Sequence, residues 1–137
     1  EGKSNYYQEL IKKVKKLKLT NSITFTGQRS DLREIMSISA ITFSMSQEPE
    51  AFGRVSLESL SMGIPVIAYS HGGVREQMIE ILPDGLIIPG NVRQAARLAE
   101  KWIKNPPNLV GEHKFTIDNM LRNTLNIYNQ SLKEKKQ

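Results

Sequence analysis

The chain has no cysteine. That absence removes disulfide frameworks, thiolate zinc sites and cysteine nucleophiles together. It suits a reducing compartment, so a cytoplasmic location is expected. No apolar run approaches the roughly 20 residues that a membrane-spanning helix requires. The opening residues, EGKSNYYQEL, have no apolar stretch after a basic start and do not read as a secretory leader. The two histidines, His71 and His113, lie far apart, and no carboxylate/histidine group has metal-ligand spacing. No metal is therefore expected. A GxGxxG fingerprint between a first strand and a helix is missing. Ser59 and Ser61 lack the elbow of a hydrolase nucleophile. What is present is an ordinary globular composition: 137 residues, 39% hydrophobic and 24% charged. That is enough to bury a core in one domain.

The net charge is +5. Much of it comes from Lys12, Lys13, Lys15, Lys16 and Lys18, and from the tail Lys133, Lys135 and Lys136. Leu10, Val14 and Leu17 recur at helical spacing with Ile11 beside them, which puts the first lysine group on the outer face of an amphipathic helix. The plain reading is a solvated face. A second is attraction to anionic lipid headgroups, with the chain peripheral at the inner face of a membrane. Aromatic residues are few, and none interleaves with the lysines to stack bases, so no nucleic-acid partner is expected.

The hydrophobic period switches repeatedly along the chain. Residues 6–19 read as a helix. SITFT (22–26), ending at Gly27, reads as a strand. Ser30 and Asp31 offer caps to a short helix over 32–39. AITFSM (40–45) is a second strand, PVIAY (65–69) a third and GLII (85–88) a fourth. Between them lie helices over 53–62 and 74–82, the latter after a Gly72-Gly73 turn. Asn91 caps a helix with Ala95, Leu98, Ala99 and Trp102 on one side. A final helix covers 116–134. Short, continuously apolar strands alternating with helices predict a Rossmann-like, doubly wound parallel sheet with helices on both faces. Residues 1–137 read as a single domain, with 108–137 as its helical extension. The chain opens on a helix where such a unit opens on a strand, so the domain is expected to begin upstream.

In open α/β sheets, ligands bind beyond the carboxyl ends of the strands. Three predicted loops lie at that edge: 27–30, 46–53 and 70–74. In the second, Phe52 and Gly53 start a helix whose first N–H groups have no partner inside it, a setting that favours phosphate. Glycine allows close approach, and Arg54 adds charge-assisted donors. Glu50 would repel a phosphate but accept from hydroxyls farther out. Glu58, about a turn and a half into the helix, suits another hydroxyl pair. Phosphate flanked by hydroxyls is the shape of a nucleotide sugar. The alternative is a surface glutamate and a loop glutamate near a helix dipole. His71 borders the same edge, and a lone histidine is more often structural.

EAFGRVSLESLSMGIPVIAYSHGGVREQM resembles the donor-binding segment of family 4 glycosyltransferases, which have the GT-B fold. The E-x7-E motif falls on Glu50 and Glu58, FG on Phe52 and Gly53, G-x-PV on Gly63, Pro65 and Val66, and GGxxE on Gly72, Gly73 and Glu76. Upstream, F-x-G followed by DL falls on Phe25, Gly27, Asp31 and Leu32, and the serine before the motif is Ser44 or Ser46. The resemblance runs from about Tyr6 to Leu98. It implies the C-terminal half of a GT-B enzyme, lacking the start of that half and the acceptor-binding half.

By that resemblance Glu50 is the catalytic residue that contacts the transferred sugar, and Glu58 holds the ribose. The backbone at Phe52, Gly53 and Arg54 faces the diphosphate, and Val55 is a further donor-binding residue. Gly27, Gln28 and Arg29 border the nucleobase, and Gly72, Gly73 and Glu76 complete the donor site. The implied reaction moves a sugar from a nucleoside-diphosphate sugar to a glycan or lipid acceptor, as in carbohydrate or lipopolysaccharide biosynthesis, with retention and without an obligatory metal. The family's diphosphate-neutralising Arg and Lys pair lies ahead of the first helix, outside this chain, so weak donor binding and no turnover are expected of the chain alone. The competing readings are a noncatalytic nucleotide-binding module or a sugar-nucleotide epimerase of the same fold.

Overall fold

A computed structural model describes residues 5–109, 111 and 113–134. Lys135 and Lys136 of the basic tail lie outside the described residues. The chain divides into two compact units, Glu1–Leu32 and Arg33–Gln137.

The first unit holds helix α1 (Asn5–Lys16). Tyr7, Leu10, Ile11 and Val14 are its half-buried stripe, and the lysines stand out into solvent. Lys18 closes the helix in the left-handed region, φ 57°, with Leu19 N–H donating to the Val14 carbonyl at 3.0 Å, as at many helix ends. The expected strand over 22–26 is absent: that segment pairs with no strand among the described residues. β-branched and aromatic residues favour a pleated surface, but a strand exists only when a neighbour takes its backbone bonds. Here Ser22 and Ile23 turn back to the Leu19 carbonyl. Phe25 packs its ring edge-on to Tyr7, with centroids 5.5 Å apart.

The second unit is a parallel three-stranded sheet with helices between its strands. Helix α2 (Leu32–Ser37) leads into β1 (Thr42–Ser44), followed by α3 (Arg54–Ser61), β2 (Val66–Tyr69), α4 (Gly72–Ile81), a 3-10 turn (Pro83–Gly85), β3 (Leu86–Ile87), α5 (Val92–Lys104) and α6 (Ile117–Glu134). The sheet order is β1-β2-β3. Thr42 pairs with Val66 and Ser44 with Ala68, while Ala68 and Tyr69 pair with Leu86 and Ile87. Three of the four predicted strands are thus present, each shorter than predicted. The fold class is the α/β parallel arrangement that the alternation of strands and helices implies.

The strands are not equally buried. All four residues of β2 are buried, as a continuous apolar run in a central strand requires. β1 is an edge strand and leaves Phe43 about half exposed. Val66, Ile67, Met78, Ile81, Ile87 and Trp102 form the heart of the core, and burying each large apolar side chain contributes about 2 kcal/mol. Gly72 and Gly73 differ from the prediction too. They are the first turn of α4 rather than a loop before it, packed so close to the loop after β1 that a Cβ on either would strike its backbone.

Candidate functional site

The carboxyl ends of β1 and β2 feed the loop over 45–53 and the short link over 70–71. The two connections meet at the starts of α3 and α4. Gly53 is the N-cap of α3, in the left-handed region at φ 81°, and no side chain caps the helix. The first four amides of an α-helix lack intrahelical partners. Among the described residues the amides of Gly53, Arg54, Val55 and Ser56 find no other backbone acceptor. This end of α3 is positively polarised and its amides are unpaired; Arg54 and Val55 are exposed there, Gly53 and Ser56 buried.

The loop before it is held from one side by α4. The Gly73 amide donates to the Glu50 carbonyl at 2.8 Å. One turn further along α4, the buried Gln77 donates its Nε2–H to the Phe52 carbonyl. Residues 73 and 77 share a helix face, so one face of α4 grips alternate carbonyls of the loop. The fit requires glycine. A Cβ on Gly73 would lie 2.3 Å from the Ala51 carbonyl oxygen, and one on Gly72 2.5 Å from that of Glu50. A Cβ on Gly53 would lie 2.3 Å from Cγ2 of Val74. On its far side α3 is tied to the sheet, where Ser59 Oγ donates to Thr42 Oγ1 at 2.7 Å.

Glu50 is exposed and lines a cleft with Ser44, Ser46, Tyr69 and His71. The cleft encloses roughly 10 Å³, about the space of one water, so only the outer side of Glu50 is open to anything larger. His71 is the N-cap residue of α4, and its Nε2 lies 3.1 Å from the Ser46 carbonyl oxygen. It braces the loop. Glu58 lies on a much larger pocket of about 500 Å³, lined also by Arg33, Arg54, Leu57, Ser61 and Met62. That volume is within the range of small-molecule sites. Arg54 Nη2 and Glu58 Oε1 are 3.3 Å apart with both side chains exposed, a pair too solvated to stabilise much and easily rearranged by a ligand.

The second unit therefore brings Glu50, Phe52, Gly53, Arg54, Val55, Gly72 and Gly73 together around one helix start. Glu58 lies a turn further on, and Glu76 is exposed on α4 beside Gln77. Gly27, Gln28 and Arg29 belong to the first unit. There Gly27 takes φ 68° and Arg29 makes a two-point pair with Asp31, its Nε 2.7 Å from Oδ1 and its Nη2 against Oδ2. The pair lowers the Asp31 carboxyl below its ordinary range and raises the Arg29 guanidinium.

Two residues of this region escaped the sequence reading. Arg33 follows the matched Asp31-Leu32 and brings a cation to the Glu58 pocket. Gln77 follows the matched Glu76, and its spacing of four from Gly73 was the available signal.

The profile of the Glycosyl transferases group 1 family matches residues 2–116. The chain belongs to that family. As a group 1 glycosyl transferase it is 33% identical over 102 residues to the alpha-1,3/1,6-mannosyltransferase ALG2 of Homo sapiens, an alignment of 74% of this chain and 24% of that protein. It is 27% identical over 96 residues to the 2-deoxystreptamine glucosyltransferase of Streptomyces kanamyceticus, covering 69% of this chain and 24% of the relative. The crystal structure of Anabaena HepE in complex with UDP and glucose superposes with a TM-score of 0.69 at 31% identity, over 74% of this chain and 28% of HepE. HepE in complex with UDP-glucose gives 0.68 at 31% identity, over 76% of this chain and 29% of HepE. The group 1 chain described here thus spans about a quarter of the length of these relatives.

Proposed function

We propose that this chain is the donor-binding part of a glycosyltransferase that uses a nucleoside-diphosphate sugar. The carrying observation is the uncapped start of α3, presented by a loop whose carbonyls are turned toward α4. The amides of Gly53, Arg54 and Val55 face the diphosphate, with Arg54 adding a cation; helix dipole and backbone donors act together there. Glu58, in its 500 Å³ pocket, holds the ribose hydroxyls. Glu50 contacts the transferred sugar from the outer side of its small cleft. Gly72, Gly73 and Glu76 complete the site. The complexes of HepE with UDP and with UDP-glucose support a nucleotide sugar as the ligand class.

In the transfer, the bond between the anomeric carbon and the diphosphate oxygen breaks. An acceptor hydroxyl bonds to the same carbon on the same face, and its proton leaves with the diphosphate, so configuration is retained. Stabilisation of the departing charge by fixed amides and arginine is the main catalytic term, and no obligatory metal is required. The acceptor is a glycan or lipid, in carbohydrate or lipopolysaccharide biosynthesis at the cytoplasmic side of a membrane. Among the described residues no helix is long and apolar enough to cross a membrane, and the lysine face of α1 would supply a peripheral contact with anionic lipid.

The test is an NMR titration of the labelled chain with UDP, GDP and ADP. Saturable shifts of the 52–58 amides with one diphosphate are expected. Shifts confined to other regions, or none with any of the three, would overturn the assignment.

A further inference from the structure

We propose that Gln77 is a positioning residue for the diphosphate, acting through the peptide unit between Phe52 and Gly53. The inference rests on the donor-site reading above. Gln77 is fully buried on α4 and donates through Nε2 to the Phe52 carbonyl. A carbonyl can only accept, so the amide must present its nitrogen there. Its Oε1 is buried without a partner among the described residues. An unpaired buried acceptor is destabilising, and an apolar side chain of similar length would fill the same space without that cost. Packing alone therefore does not account for a glutamine here. The bond to Phe52 does.

The consequence follows from peptide planarity. In a trans peptide the C=O and the next N–H point in opposite directions. Holding the Phe52 oxygen against Gln77 turns the Gly53 N–H away from Gln77, toward the other unpaired amides at the start of α3. Gly53, with no Cβ, can adopt more than one backbone conformation. Without the bond, no other hydrogen bond among the described residues holds the Phe52 carbonyl turned toward α4, and a rotated 52–53 peptide would present that oxygen to the phosphate. The Gly73 bond to Glu50 fixes a peptide two residues earlier and leaves this one unconstrained. Gln77 thus sets the sign of the dipole nearest the ligand without touching it.

The experiment compares the unmodified chain with Gln77→Met and Gln77→Glu in binding UDP, GDP, uridine and guanosine by NMR titration. The unmodified chain is expected to prefer one diphosphate over its nucleoside. Gln77→Met keeps the shape and removes the donor. It should bind that diphosphate about ten-fold more weakly, a loss of about 1.4 kcal/mol, leave nucleoside affinity unchanged and shift the Gly53 amide in the free protein. Gln77→Glu should be worse near neutral pH and recover as pH falls, because only the protonated carboxyl can donate to Phe52. The unmodified protein measured at each pH corrects for protonation of the ligand. Equal weakening of diphosphate and nucleoside, or diphosphate binding at full strength in Gln77→Met, would overturn the positioning role while leaving the donor site standing. Failure of the unmodified chain to bind either diphosphate would overturn both.

Discussion

Two helices of the second unit begin in opposite ways. At α5 the Asn91 side chain accepts from the Gln94 amide at 3.0 Å, and Gln94 Oε1 accepts in turn from the Ile88 amide at 3.1 Å. That start is closed by its own sequence. At α3 the capping position is a left-handed glycine with no side chain to offer, and the amides stay open. Both helices follow strands of one sheet, and the same orphan donors arise at each. A stability requirement alone would close both. The open end also carries the tightest backbone fit of the site, against Gly72 and Gly73, whereas α5 needs no such neighbour. The unpaired amides at α3 are left so by the surroundings, as the proposed diphosphate site requires.

The comparison breaks hardest at Gly73. Helix propensity alone has Gly73→Ala stabilising by up to about 1 kcal/mol. The contact with the Ala51 carbonyl reverses the sign, and a loss of about 2 to 3 kcal/mol is expected in urea unfolding. Next, Glu58→Gln should weaken nucleoside-diphosphate binding about ten-fold, roughly 1.4 kcal/mol, yet leave unfolding within about 0.5 kcal/mol because its pair with Arg54 is exposed. Calorimetric titration beside thermal melts separates the two. Asn91→Ala should do the converse. It should cost about 1 kcal/mol of stability and leave nucleotide affinity unchanged.

The smallest effect concerns Glu80 of α4. Lys114 holds it through Nζ at 2.6 Å and through its backbone amide at 2.8 Å. The hydrogen bond from the Lys114 side chain, then that from its amide, lowers the Glu80 carboxyl below its ordinary range. A lowered folded-state value stabilises the protein above the ordinary carboxylate range, and that contribution fades as pH falls through the lowered value. The Lys114 amide resonance should therefore move at acid pH, below the ordinary carboxylate range. In Glu80→Gln the transition should vanish.

Much of this was legible in the chain itself. The apolar runs at 66–69 and 86–87, the helical periods between them, and Asn91 as a cap all follow from local chemistry. The candidate site was visible as a motif, because Glu50, Phe52, Gly53 and Glu58 sit at fixed spacings on one loop and one helix. The strand expected at 22–26 failed because pairing is not a local property. The turn expected at Gly72-Gly73 failed because glycine pairs signal turns unless a second backbone needs their missing Cβ atoms. Gln77 gave only its spacing of four from Gly73 as a sign, since a glutamine in a helix is ordinary until its burial is known.

The sequence by itself determined the alternation of helix and strand, the apolar centre of the sheet and the residue types offered at the start of α3. Those depend on side-chain period and backbone preference over a few residues. The tertiary structure alone decided that α4 turns the Glu50 and Phe52 carbonyls aside, that Arg33 reaches the Glu58 pocket and that α3 is left open. Each depends on atoms distant in the chain meeting within hydrogen-bond or contact range, which no local pattern encodes.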